Sequence, residues 1–466
     1  MSKFFLRFFL IVLIVAVFAI IFLSYFGLST DKFDGLIKSK VNEVNQYVKL
    51  GFQKTKIHIN PTELNLVVKL QNPKILVKNN EIILSKLDLF LSLRSFFTSD
   101  FLLKRAEVAF AENDIKDLTK ITNIFLPKII NKQVNKIFHK GNLEGEFIIP
   151  FESDGNIGKD YGFSGKVSDA SINLTKEFSI KKLTTEINHV RNVGGDEFRI
   201  AIKKGSIFDL ELANSTINLK RKKNETKVKS SLRTKGKFNF SKIKKISTLF
   251  ALDLSNLKDI NGTVDLKTNI NFDLSKQAKV KNLSSSIEGD IAYLEIHTAE
   301  RRIVKKYLPE FDPKIILKDT NVKFINSKSN HTTELNGFIK VKDYFDNFKI
   351  KEIYNYSDKS FDINGIIDLT NSKVKVSRLN YNKDYGKKSE LNFDVNFVLD
   401  KYYNINNLNF LADKTKIHLS NIKLNKNFEV KDFKKLEIKT FENEIKNNDF
   451  LVKKSKKVEI SGKIFD

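Results

Sequence analysis

Cysteine is absent from all 466 residues, which removes disulfides and thiolate metal sites and leaves burial and backbone pairing to hold the fold. The signatures of catalysis are missing as well. No GxSxG nucleophile elbow and no GxGxxG dinucleotide loop occurs. The histidines, His58, His139, His189, His297, His331 and His418, are scattered without HExxH spacing. GNIGK at Gly155 is too short for a phosphate-cradling loop and has no Ser or Thr after Lys159, so it reads as a turn. Arg301, Arg302, Lys305 and Lys306 suit either an anion clamp or, better, a solvated helix face. The pattern points to a protein that is not an enzyme, with no catalytic residues, no metal and no cofactor.

Arginine is scarce too, although the formal charge is +26. Lys outnumbers Arg several-fold, whereas phosphate and base recognition favour the bidentate guanidinium. The Lys residues are spread evenly beside Asn, Ile and Phe, so no nucleic-acid partner is expected. Anionic lipid headgroups are a better use of this charge, and a solvated surface is the simplest one.

Only one long apolar run is present. Phe8 to Phe26, FFLIVLIVAVFAIIFLSYF, carries no charge, and at about 1.5 Å per residue a helix of this length spans the roughly 30 Å hydrocarbon core of a bilayer. Lys3 and Arg7 resemble the n-region of a signal peptide, but the run is too long for an h-region and lacks an Ala-x-Ala site. Residues 1–28 are therefore expected to be an uncleaved anchor with Phe8, Ile14, Ile20 and Phe26 along it. The bulk of the chain would lie outside the cytoplasm.

Beyond the span, Ser29, Thr30 and Asp31 offer helix caps, and Phe33, Ile37, Val41, Val44 and Val48 recur at helical spacing. This amphipathic helix would cover the end of a sheet or lie on a membrane surface. The period then changes to two. Leu64, Leu66, Val68 and Leu70, and later Leu87, Leu89, Leu91 and Leu93, alternate with other residues as half-buried strands do. Residues 114–140 carry Ile115, Leu118, Ile121, Phe125, Ile129, Val134, Ile137 and Phe138 at helical spacing, with Pro127 as a kink. Ser241–Leu254 and Thr298–Leu308 read as short helices, and Ser153–Gly162 as the one seam.

Two segments alternate with unusual regularity. Val264, Leu266, Ile270, Phe272 and Leu274 share one face of Val264–Leu274, while Leu391, Phe393, Val395, Phe397 and Leu399 share one face of LNFDVNFVLD. A greasy face opposite a wet one marks antiparallel sheet, since doubly covered parallel strands read as continuous apolar runs. Gly165, Gly262, Gly289, Gly337, Gly365 and Gly462 recur before strands at irregular spacing, which suits a meander of long hairpins with bends or bulges at Gly rather than a solenoid.

The single span, the amphipathic helix and LDLFLSLRSFFTSDFLLKRAEVAF at Leu87–Phe110 resemble the opening of the AsmA-like envelope proteins. FSGKVSDASINL at Phe163–Leu174 and the stretch from Leu379 to ISGKIFD are similar to the YhdP-type branch, which shares its design with the bridge-like lipid-transfer proteins. The resemblance implies a mostly β fold. An N-terminal transmembrane helix precedes a long, curved antiparallel sheet forming an apolar groove, with a few short helices. It divides the chain into an anchor at 1–28, an N-terminal AsmA-like module at 29–145 and an elongated β-groove domain at 146–466.

It further implies a single-pass protein of the bacterial inner membrane with its bulk in the periplasm, passing phospholipid acyl chains between inner and outer membrane. Leu266, Ile270, Phe272, Leu274, Leu391, Phe393, Val395 and Phe397 would line the groove through non-directional apolar contact. From the residues alone, a packed sandwich uses the same faces. Members of the branch are usually longer, so a truncated or split copy is expected. Its C-terminal strand edge would then pair with a further β-groove subunit or an outer-membrane protein. The alternative role is a non-enzymatic assembly or scaffold factor for outer-membrane proteins.

Overall fold

The computed structural model describes the chain apart from residues 1, 45–46, 78–79, 98–101, 119–137, 157, 174–178, 193, 223–224, 251–256, 278, 299–301, 443 and 466. Strands make up 70% of it and helices 12%, so the fold is mostly β, and the paired strands run antiparallel. The chain forms two compact units, one of residues 1–207, 212–228 and 275–277, the other of 208–211, 229–274 and 278–466.

The first helix, Ser2–Tyr25, contains 19 residues from Arg7 to Tyr25 with a mean hydropathy of 3.0 and none of that stretch buried. It is long and apolar enough to cross a membrane. Phe8, Ile14 and Ile20 project from it exposed, whereas Phe26 lies just past the helix end, where its amide still donates to the Phe22 carbonyl. Gly27 follows at φ +67°, and a side chain there would meet the His58 ring at 2.7 Å and the Ile57 carbonyl at 2.9 Å. Only glycine fits this joint, because the strand Leu28–Thr30 pairs at once with Lys54–Asn60. Deletion of residues 2–25 is expected to move the protein from the carbonate-washed membrane pellet to the soluble fraction. Retention in the pellet would show that another part of the chain holds it there.

In the first unit, Phe33 in the turn before helix Asp34–Val44 and Ile37 on that helix are buried against Leu66, Val68, Leu89 and Leu91. The amphipathic stripe thus covers sheet. Several sequence expectations shift here. Val48 opens a strand, Val48–Gly51, while Ser29 and Thr30 are strand residues rather than caps. Leu64 sits at φ +49° in a turn and is exposed. The strands Asn65–Gln71 and Asn80–Ser92 are not half-buried, because Val67, Asp88 and Phe90 are buried beside the leucines. Long basic side chains supply the second cover: the Arg105 guanidinium lies 3.9 Å from the Phe90 ring centre, and Lys104 donates to Asn65.

The expected helix over 114–140 is mostly outside the described residues. Asp114 ends the strand Leu103–Asp114, one helical turn follows at 115–118, and Phe138–Lys140 begin the strand Phe138–Pro150. That strand straddles the expected boundary at 145/146 and pairs with Gly162–Asn173. Ser153–Gly162 is therefore mainly the link of a hairpin rather than a seam, with Gly155 at φ +84° in its turn.

In the second unit, the strand Leu257–Ser275 is followed by strands at Val280–Thr298, Lys314–Asn326, Asn330–Val341, Tyr344–Asn355, Ser360–Asp368 and Ser389–Val398, each paired with the next. The series continues through Tyr402–Ala412, Thr415–Asn425, Lys435–Glu442, Ile445–Lys454 and Val458–Ile464. Helices at Phe240–Phe250 and Arg302–Tyr307 stand close to where the periodicity places them.

Candidate functional site

The two alternating segments, more than a hundred residues apart, belong to one face. Cross-strand register runs from Leu266 through Gly289, Val322, Leu335, Ile350 and Gly365 to Phe393. A second row joins Ile270 to Phe397 through Ser285, Asn326, His331, Tyr354 and Phe361. Val395 and Leu391 alternate with these, Phe272 and Leu274 extend the face along their own strand, and beyond Phe393 the first row continues to Leu408 and Leu419. Leu399 does not belong, because the strand ends at Val398 and Leu399 stands exposed in the following turn.

All eight predicted residues are half-buried. Asp265, Asn269, Asn392 and Asn396, which alternate with them on the wet face, are half-buried as well. Gly365 has a specific part in this surface, since a side chain there would meet the Phe393 ring at 3.0 Å and the Lys349 carbonyl at 2.7 Å. The ring lies over the bare backbone in place of a side chain.

One edge of the face is capped. Between Asp368 and Ser389 the chain leaves the sheet and forms a small ladder, Val374–Val376 with Tyr381–Lys383, which packs Leu369, Val374 and Tyr381 onto Phe410, Ile417 and Ile438. Lys383 fastens it. Buried at 2% exposure, its Nζ donates to the carbonyls of Leu369 (2.8 Å), Thr370 (3.1 Å), Ser372 (2.7 Å) and Asp384 (3.1 Å). Burial pushes its pKa below the usual lysine value, against the pull of Asp346, Asp368 and Asp384. Asp346, also buried, accepts from the backbone and side-chain amides of Asn371, and its burial raises its pKa.

The other edge carries a stripe of rings. Phe324, His331, Tyr354, Phe361, Phe397, Tyr403 and Phe428 stack in sequence with neighbouring centroids 4.5–5.6 Å apart. Tyr356 joins them, its hydroxyl donating to Asn326 at 2.6 Å. Sequence reasoning picked out only Phe397 here. The signal was an aromatic at each end of successive hairpin turns, as in YNYSDKSF and FVLDKYY. The cap gave no such signal, since NSKVKVSRLN reads as one more strand.

The reverse face is wet. Lys323, Glu334 and Lys351 stand in register, with Lys351 and Glu334 2.9 Å apart. A depression of about 740 Å³ at these strands is lined mostly by such residues, and its carboxylates Glu334 and Asp394 are already engaged by Lys351 and Asn406. Among the described residues, no group of three or more His, Asp or Glu could hold a metal ion.

Two wet carboxylates carry a pH dependence. Lys435 and Lys416 hold Glu437 down to about 2, and hydrogen bonds from Tyr293 and His297, with help from Lys314, hold Glu295 down to about 2. Because both values fall on folding, the stabilisation is complete above the usual glutamate value of 4.5 and is lost as pH falls toward 2. Melting temperature is expected to decline over that window. Combining Glu437→Gln with Glu295→Gln should flatten the decline, and an unchanged pH profile would rule these pairs out as its source.

Fold and site together define a mostly β protein with an apolar N-terminal helix of membrane-spanning length and a sheet face crossed by one continuous apolar row, beside which Thr333, Glu352, Asn326 and His331 add polar positions. No protein-family model, curated protein or solved structure matches the chain.

Proposed function

We propose that this is a membrane-anchored lipid-transfer protein of the AsmA-like, YhdP-type class, which carries phospholipid acyl chains on the apolar face of its second unit between inner and outer membrane. The observation that carries the reading is the continuous row from Leu266 to Phe393, apolar at five of its seven positions with Gly at the other two. Apolar contact at about 25 cal/mol per Å² favours an acyl chain without fixing its position, which is what sliding requires. The span Arg7–Tyr25 would fix one end at the inner membrane, with the bulk of the chain in the periplasm. No step of this role needs catalysis or a cofactor. Native mass spectrometry of the full chain purified in detergent tests it: co-purifying phospholipid that is lost in Phe393→Asp supports the reading, and a lipid-free second unit refutes it.

A second reading rests on a different observation. The strand Val458–Ile464 is exposed throughout and, among the described residues, is paired along one edge only, with Ile445–Lys454. Such an edge accepts an added strand from a partner, whether a further β-groove subunit or an outer-membrane protein. A protein client captured at this edge in place of lipid would favour a scaffold or assembly role.

A further inference from the structure

We infer that the outer edge of the strand Val458–Ile464 pairs with the same strand of a second copy of this chain, antiparallel and two-fold about Ser461. The pairing is independent of the acyl-chain reading, and it commits this edge to one occupant.

Every residue of this strand is exposed, and among the described residues only Ile445–Lys454 pairs with it. Its sequence, VEISGKI, complements its own reverse. With Ser461 opposite Ser461, Glu459 of each copy faces Lys463 of the other, Val458 faces Ile464, and Ile460 faces Gly462. The two-fold makes each of these pairs twice. One seam thus gains two opposite-charge pairs and no like-charge pair.

Other registers are poorer. A centre at Glu459 sets two carboxylates opposite one another, a centre at Ile460 sets Lys457 opposite Lys463 twice, and a centre at Gly462 gives no opposite-charge pair. A slip of one residue would join the greasy face of one copy to the wet face of the other. The remaining charges fit the seam. Lys454 holds Asp432 at 2.7 Å, and Lys453 lies opposite Glu459 on the neighbouring strand. Lys446 holds Asp449 at 2.7 Å, and Lys463 also draws on that carboxylate. Lys456 and Lys457 of the two copies fall at opposite ends of the seam. Lys463 is the extra residue of a bulge against Ile445–Lys454, which leaves it out of that ladder and available to a strand on the other side.

The seam also continues a surface. The greasy row that passes Phe393, Leu408 and Leu419 runs on through Leu436 and Val452 to Ile460, where it stops with Ile460 73% exposed. In the paired form the next position is Gly462 of the second copy, followed by Phe450 and Ile438 of that copy. Ile460 then lies beside bare backbone, as Phe393 lies over Gly365. The row crosses the junction without a polar position, and the most exposed side chain of the strand gains apolar cover.

Because the chain has no cysteine, one introduced thiol reports on one position. Opposed residues of an antiparallel pair stand about 4.5–5.5 Å apart at Cα, within the range a disulfide tolerates. The full chain in detergent, oxidised with copper phenanthroline, is expected to give a covalent dimer in S461C. E459C and K463C should each stay monomeric under reducing gel-free oxidation when expressed alone and cross-link when coexpressed. Charge tests the same register without a thiol. E459K or K463E should weaken dimerisation in sedimentation roughly tenfold or more, since each replaces two opposite-charge pairs by two like-charge ones. Coexpression of E459K with K463E should restore the dimer, because every pair is then of opposite charge. A wild type that sediments as a monomer and whose S461C form does not cross-link overturns the pairing, as does cross-linking of E459C with itself. Association that survives both charge reversals places the contact elsewhere, on the anchor helix for example, and overturns it equally.

Discussion

Phe393→Asp is expected to abolish lipid occupancy while lowering the melting temperature by only a few degrees. Phe393 is half-buried, in register with Gly365 and Leu408, and its ring lies over Gly365. With no lipid present, a carboxylate at this open position stays hydrated. Losing a partly buried ring then costs on the order of 1–2 kcal/mol, which is a shift of a few degrees for a unit of this size. An acyl chain laid across it would have to strip the carboxylate of water, at a cost of several kcal/mol. Phe272→Asp should behave alike, and Lys351→Gln on the wet face should change neither quantity. If the face is a sealed sandwich core instead, both Asp variants unfold, and a fall of more than about ten degrees in calorimetry identifies that case.

Lys383→Met is expected to be among the most damaging single substitutions in the second unit. Methionine keeps much of the length but donates nothing, leaving the carbonyls of Leu369, Thr370, Ser372 and Asp384 without the ammonium. An unsatisfied buried acceptor costs about 1–3 kcal/mol, partly offset here because a buried cation is removed. The net loss should be roughly 3 kcal/mol, or about 6–12 degrees in melting temperature. Lys426→Met, at an exposed turn, is the control and should be neutral. Equal melting of the two variants would show that the cap is held by Leu369, Val374 and Tyr381 packing rather than by the lysine.

The strands of the second unit were legible because alternation is a local code: each of Val264–Leu274 and Leu391–Val398 declares its own two faces. Whether two such faces coincide depends on every intervening turn, and no single strand records that. The bulge between Lys318 and Asn321, for example, shifts register midway without any mark in the hydrophobic pattern. In the first unit the code misleads for another reason. Asp88 and Val67 alternate with leucines as a wet face would, yet Lys104 and Arg105 lie over their side of the sheet and bury it. The cap was invisible because Lys383 looks like any surface lysine until four carbonyls converge on it.

From Leu257 to Val398, among the described residues, each strand of the main sheet pairs with the next one in sequence. Such a sheet lengthens by duplication of a hairpin. An inserted pair of strands restores the direction of the chain, so greasy rows stay greasy and every second turn still falls on the same edge. A lone inserted strand would send all later turns to the opposite side. Evolution can therefore adjust the reach of this architecture in steps of two strands, about 10 Å at a time, without redesigning the surface it extends.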